Sequence, residues 1–396
     1  MGPVAKEEGA MKKLGDYKRY ERLLGAYESG DIDRRSLLKI IGAMAAAVGV
    51  VGGPLTGLSR KALAANPESI RFDGWGGIVS EAFHNFAFPP YTEKTGIKVV
   101  EGEFGDTEEF LSLVKAAQPG DYNIFLVSGV YDYARFTKAG FGDFINEANI
   151  PNLANVLPAT LEAFKAESGG KLAAVPFDYG VTGLAYNRKY ISDEEAKAAG
   201  VKLQFDPKYK GKMALYDSFQ TRIWMASLLL GQDPQGATDI NAIYDALRKQ
   251  RELVVKYWSS GQEFIDLMAK EEIILSDGWS GRVAALQQDG HDIGFLSNVG
   301  FAWLEGLYVL KGSPMEAAEQ LLNFCIEPKV AIAIAEGQNY PSSLDPTKVP
   351  MTDKIKKLPA YDDTGKFEGY VWEKAQYWYD NQDAYKKEWD RISKGA

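Results

Sequence analysis

Polar and aromatic side chains collect at the ends of runs that read as β-strands. Trp75, Ser128, the pair Asp178-Tyr179, Asp217, Trp279 with Arg282, Trp303 with Glu305, and Tyr340 each fall just after such a run. The chemistry open to this set is non-covalent. An indole face stacks on an aliphatic or cationic group, and a carboxylate pairs with an ammonium. Taken singly, each aromatic is better explained by core packing, since the chain has 8 Trp and 21 Tyr. The shared placement carries the reading: side chains that converge to grip a small polar molecule and leave it unaltered.

Most catalytic chemistry lacks its residues. His84 and His291 are the only histidines, which excludes a multi-histidine metal site and leaves a Ser-His-Asp triad almost no material. Ser280, in Gly278-Trp279-Ser280-Gly281, lacks the second spacing of a G-x-S-x-G elbow. Neither G-x-G-x-x-G nor G-x-x-x-x-G-K-[ST] occurs, so nucleotide binding has no motif behind it. Cys325 is the only cysteine, and Leu321, Leu322 and Ile326 around it predict a buried, inert thiol. A carboxylate pair of the glycosidase kind stays open on numbers alone, but a solvated acidic surface explains the carboxylates more simply. No cofactor, no metal and no enzymatic activity are expected.

The elements that must position these residues alternate between strand and helix. Ser69–Phe72 reads as a strand leading to Gly74-Trp75, with a helix from about Val79 towards Pro89. Ile97–Phe104 is a second strand. Asp106-Thr107-Glu108-Glu109 is a capping box, and Phe110, Leu113, Val114 and Ala117 form the stripe of an amphipathic helix. Asn123–Val127 then gives a buried strand that delivers Ser128 to the carboxyl edge of a parallel sheet, where ligands of open α/β sheets bind. Leu172–Val175 and Val181–Tyr186 read as one extended passage broken at 176–180, a crossing between two lobes. Met213–Tyr216 is a strand, Gln220–Leu230 a helix, and 239–257 a long charged helix. Ile273–Ser276 is a strand that opens into Trp279 and Arg282. Ser313-Pro314-Met315-Glu316 reads as a second capping box, Gly337 as a helix stop, and 370–389 as a helix packed on the outside of a lobe. The class is α/β.

Arg34-Arg35 precedes a mildly apolar stretch, Ile40–Leu58, which ends in Ala62-Leu63-Ala64. This order resembles a twin-arginine export signal cleaved near Ala64, with residues 1–33 as an extension ahead of it. Pro54 and the glycines argue against a retained membrane anchor. Residues 1–64 carry 11 Lys/Arg against 7 Asp/Glu, so the remainder is at −13 where the whole chain is at −9. An acidic surface repels phosphate backbones and anionic headgroups, which argues against nucleic acid and membrane partners. A soluble, periplasmic, monomeric protein is expected.

Over residues 66–345 the chain resembles the periplasmic polyamine-binding proteins of ABC importers, which bind spermidine or putrescine. The likeness runs through Phe72-Asp73-Gly74-Trp75, Tyr91–Val99, Val175-Pro176 with Tyr179-Gly180, Leu184–Asn187, Gly278–Gly281, Leu321–Phe324 with Glu327–Ala331, and Asn339-Tyr340-Pro341. The resemblance implies a type II, two-lobed fold with two crossing strands at a hinge. It implies a solute held between the lobes, closure on binding, and delivery to a membrane permease that a separate ATPase drives. The expected division is 1–64 for extension and signal, 65–177 plus 277–311 for one lobe, and 178–276 plus 312–396 for the other.

Carried over position by position, the resemblance makes Trp75 and Trp279 stacking residues, Ser128 a polar contact, and Glu305 the carboxylate that grips an amine. Elsewhere the chain departs from the pattern. Arg282 stands where an Asp is common, Ser218 and Thr221 stand where acids are common, and Ile78 replaces a Tyr. Two ligand readings follow. In one, Arg282, with Arg222, meets a carboxylate or phosphonate while Glu305 or Asp217 meets an amine. In the other, Arg282 points outward and the ligand is a di- or polyamine. An exported enzyme or a sensory binding protein on the same fold are the competing classes.

Overall fold

The computed structural model describes residues 67–395. The expected export signal, its cleavage point and the extension at 1–33 lie outside them. The first strand, β1 (Ser69–Gly74), pairs in parallel with both β2 (Lys98–Glu103) and β3 (Ile124–Ser128). Between β2 and β3 runs the helix Thr107–Ala116. The capping box forms there: Asp106 Oδ1 accepts from Glu109 N at 2.8 Å, and Glu109 accepts from Gly105 N at 3.1 Å. Strands joined through a helix run the same way, so Trp75 after β1 and Ser128 at the end of β3 reach the same sheet edge.

Two long strands carry the sheet onward. β4 (Ala174–Asn187) and β8 (Ile293–Val309) are antiparallel partners, and with β7 (Leu275–Trp279) the strand order is β2-β1-β3-β8-β4-β7. The far end of β8 lies beside β3, while residues 182–186 of β4 lie beside β7. A small parallel pair, β5 (Ala214–Tyr216) with β6 (Lys256–Trp258), joins β7 through the Met213–Leu275 bridge. Two α/β halves therefore share β4 and β8. A 14-residue strand spans about 46 Å at the usual rise per residue, long enough to serve both halves.

The expected break at 176–180 is absent. β4 runs straight through, buried along its whole length, and Pro176 is absorbed at a register shift between Pro176 and Asp178. A proline has no N–H to give a ladder, so an irregular point is where a sheet tolerates one. The long charged helix also ends early. It spans Ile240–Arg251, and 256–258 form β6 instead.

Three other expectations are corrected. Ser313 does not cap the next helix. Its Oγ donates towards Asn123 O and Leu310 O, and the helix begins at Met315 without a side-chain cap. Gly337 does not stop the helix Pro328–Gln338. Asn339 takes the left-handed position (φ 64°), and a Cβ on Gly337 would meet Ala82 Cβ at 2.9 Å, so that glycine permits close packing on the helix Ile78–Phe86. The last helix, Ala375–Ser393, packs on helix Gly129–Lys138 from one half and on Phe219–Leu229 and Ile240–Arg251 from the other. It straddles the halves rather than lying outside one, and its own Trp378 and Trp389 are buried. Cys325 is buried as expected, and burial pushes its thiol pKa up.

Candidate functional site

A cavity of about 320 Å³ opens where the halves meet. Of the residues singled out from the sequence, Trp75, Ser128, Asp217, Trp279, Arg282, Trp303, Glu305 and Tyr340 line it. The sheet explains the floor. Ser128, Glu305 and Asp178 are register partners across β3, β8 and β4, so their side chains share one face. Two residues along, Trp303 lies over Gly180 and occupies the space a Cβ there would need. Its Nε1 donates to Thr182 Oγ1 at 3.2 Å, and the Tyr340 ring packs 5.1 Å away, edge-on. The strand ends supply the walls. Trp75 and Trp279 approach edge-on with ring centroids 6.2 Å apart, and Tyr216 meets Trp279 at 5.1 Å.

Two candidates are not in the lining. Successive residues of a strand face opposite ways, so Asp178 and Tyr179 cannot both look into the cavity. Tyr179 faces the other side, packed edge-on against Phe367, and its hydroxyl accepts from Asp362 N at 3.2 Å. Asp178 is on the cavity side but lies beneath Glu305, where Gln338 Nε2 donates to its Oδ2 at 2.5 Å. Arg222 is also unavailable to a ligand. It is fully buried and ion-paired with Asp277, which further accepts from Gln204 Nε2 at 2.9 Å and Tyr216 N at 2.6 Å. Asp217 lines the cavity but already accepts from Trp389 Nε1 at 2.8 Å.

Arg282 does not point outward. It is 2 % exposed, and its Nε and Nη1 have no hydrogen-bond partner among the described residues. Near it, burial pushes the Asp178 carboxyl up to about 7, against the pull of Gln338, Glu305 and Arg282. Burial, and then repulsion from Asp178, hold Glu305 well above the usual carboxylate range. Glu305 Oε2 and Asp178 Oδ1 also lack partners among the described residues. Two buried carboxyls on paired strands resist ionising together and share protons.

The sequence reading missed the opposite wall. Glu373 projects from the segment before the last helix and lies against Gly129 (φ +83°), where its carboxylate fills the space a Cβ would need. Its Oε1 accepts from Gln220 Nε2 at 2.8 Å, joining the halves. Burial, then Asp132, push its carboxyl up to about 8, while Gln220 and the backbone N–H groups of Tyr131 and Val130 draw it down. Asp132 is pushed to about 6 by burial, with Arg135 opposing. Arg135 pairs with Glu108 and Asp132, and Lys386 reaches Glu108 at 2.6 Å. Asp132 stands one turn into a predictable helix. Glu373 has no local signal, because only the return of the tail brings it to Gly129.

The model of the family described as "Bacterial extracellular solute-binding protein" matches residues 87–388. The spermidine/putrescine-binding periplasmic protein of Escherichia coli (strain K12) is 26 % identical over 260 residues, covering 64 % of this chain and 72 % of that one. Among solved structures, the binding protein AgtB from A. tumefaciens R10, in complex with agropinic acid, superposes with a TM-score of 0.67 at 19 % identity, covering 83 % of this chain and 99 % of that one. The substrate-binding protein PotD of a spermidine/putrescine ABC transporter from Streptococcus pneumoniae gives 0.63 at 18 %, covering 82 % and 99 %. The fold is thus the two-lobed, type II fold of periplasmic binding proteins, with β4 and β8 as its crossing strands.

Proposed function

Because the chain belongs to the bacterial extracellular solute-binding protein family, we propose that it is the substrate-binding component of an ABC importer. It holds a small amine-containing solute between its lobes and hands it unaltered to a membrane permease. One observation carries this: aromatic rings and carboxylates from both halves line a single cavity beside the crossing strands. A solute touching both sides favours the closed arrangement by its differential affinity, and a permease can read that closure. The name of the Escherichia coli relative, a spermidine/putrescine binder, supports the amine.

The lobe boundaries proposed here follow the strand pairing. One lobe takes β1 to β3 with the adjoining parts of β4 and β8. It also takes the helices of 315–338, because Asn323 and Glu319 bond to Asn152 and Asn146. The other takes β5 to β7, so that 277–300 belong with it and not with the first. Periplasmic location is part of the proposal, by twin-arginine export and cleavage near Ala64. Among the described residues no helix is long and apolar enough to cross a membrane.

A thermal-shift panel of amines on the purified protein tests the function, because a ligand that binds only the folded state raises the melting temperature by mass action. The expected result is a shift that saturates with concentration, with the solute recovered unchanged by mass spectrometry. No shift from any amine, or recovery of an altered compound, would refute it.

A further inference from the structure

Two helices begin at the cavity from opposite halves, Gly129–Lys138 and Ser280–Gln288. A helix start gathers unpaired N–H groups and partial positive charge, so each suits an anion. The first is supplied from within: the Glu373 carboxylate faces the N–H groups of Val130 and Tyr131. The second has no anion: the group facing it is the neutral Tyr340 hydroxyl, at Gly281 N–H. Trp279 at its N-cap offers no side-chain acceptor, and Ser280 Oγ is engaged by Val181 N at 3.2 Å. The third residue of that helix is Arg282, buried and lining the cavity, with two guanidinium nitrogens unpartnered among the described residues. Leaving a buried guanidinium unmatched is costly. Asp178 and Glu305 lie within its field but crowd each other, so they do not supply a full counter-charge.

A second group in the lining has the opposite character: Asp106, Asp132, Asp217 and Glu373. The cations there, Arg135 and Lys386, are both engaged by Glu108. Glu373 Oε2 has no hydrogen-bond partner among the described residues. The cavity therefore joins a buried guanidinium, and a helix start with no counter-anion, to a cluster of carboxylates. A diamine suits the carboxylate cluster but leaves Arg282 without a counter-charge.

We infer that the solute carries a carboxylate as well as an amine: the carboxylate meets Arg282 and the helix start at Ser280, and the ammonium meets Glu373 and Asp132. The chemical class is an ω-amino acid or a basic amino acid. The inference rests on the solute-binding role proposed above and narrows it.

Isothermal titration of the purified protein with 5-aminopentanoate and ornithine, against 1,4-diaminobutane and 1,5-diaminopentane, tests it. The amino acids should bind about 10-fold tighter or more than the diamines of matching length, the scale of one charge-assisted contact. Arg282→Met should abolish that preference and leave diamine binding equal or stronger. Diamines binding as tightly as the amino acids to the unaltered protein would overturn the inference alone, as would Arg282→Met weakening both classes alike. Binding by neither class would overturn the solute-binding proposal and this inference with it. If Arg282→Met does not fold, Arg282→Lys decides: a reduced preference of the same sign supports the assignment, and an unchanged ratio overturns it.

Discussion

Asp178 on β4 and Glu305 on β8 are ladder partners, so two carboxyl groups share one buried face where the strands pass between the halves. Neither can ionise without the cost of burial and of the other's charge. That cost makes the pair a source of pH dependence.

The sign follows from the protons bound. An unfolded Asp titrates near 3.9, and folded Asp178 near 7. Between these values the folded state holds the extra proton, so stability falls as pH rises. The contribution is fully present below about pH 4 and is lost as pH rises through about 7. Asp178→Asn cannot ionise and should lack this slope. In thermal unfolding without ligand, the variant should gain on the unaltered protein from about pH 5 to about pH 7 and level off above that.

Glu373→Gln keeps an acceptor for Gln220 but removes a carboxyl that burial has raised to about 8. The unliganded variant should melt higher at pH 8 than the unaltered protein. It should bind amines about 10- to 100-fold more weakly, the usual range for losing a charge-assisted hydrogen bond. Calorimetry in buffers of different ionisation enthalpy adds a second readout. At pH 7 an arriving ammonium should expel protons from the unaltered protein, and fewer from the variant.

Trp389→Phe keeps the packing and removes the donor to Asp217. A half-buried carboxylate would lose that partner, at about 1–3 kcal/mol. Urea unfolding should show a lower midpoint with an unchanged slope.

Gly180→Ala places a methyl group where the Trp303 ring lies. Overpacking of this kind costs about 1–3 kcal/mol. The ring must also tilt from Thr182 and Tyr340, so binding of any solute should weaken, as direct titration would show.

The parts of this site that could be read from the sequence are those that strand-to-helix junctions announce locally. Trp75, Ser128, Trp279 and Arg282 each sit just past the end of an apolar run, and each lies in the cavity wall. Tyr179 was placed wrongly because facing depends on an unbroken strand, and Pro176 disguised the continuity of β4. Arg222 carries no local mark that separates a ligand contact from an ion pair, and its partner Asp277 lies far along the chain. Glu373 could not be found at all, since neighbouring sequence says nothing about where a returning tail comes to rest. The lobe boundaries were obscured for a related reason. Two strands serve both halves, and a linear reading assigns each stretch to only one.

Trp75 ends a strand of one half and Trp279 a strand of the other, yet their rings lie 6.2 Å apart. Any parting of the halves must pull these indoles away from each other. Indole emission depends on its surroundings, so the molecule carries its own optical gauge of opening, with no attached dye required.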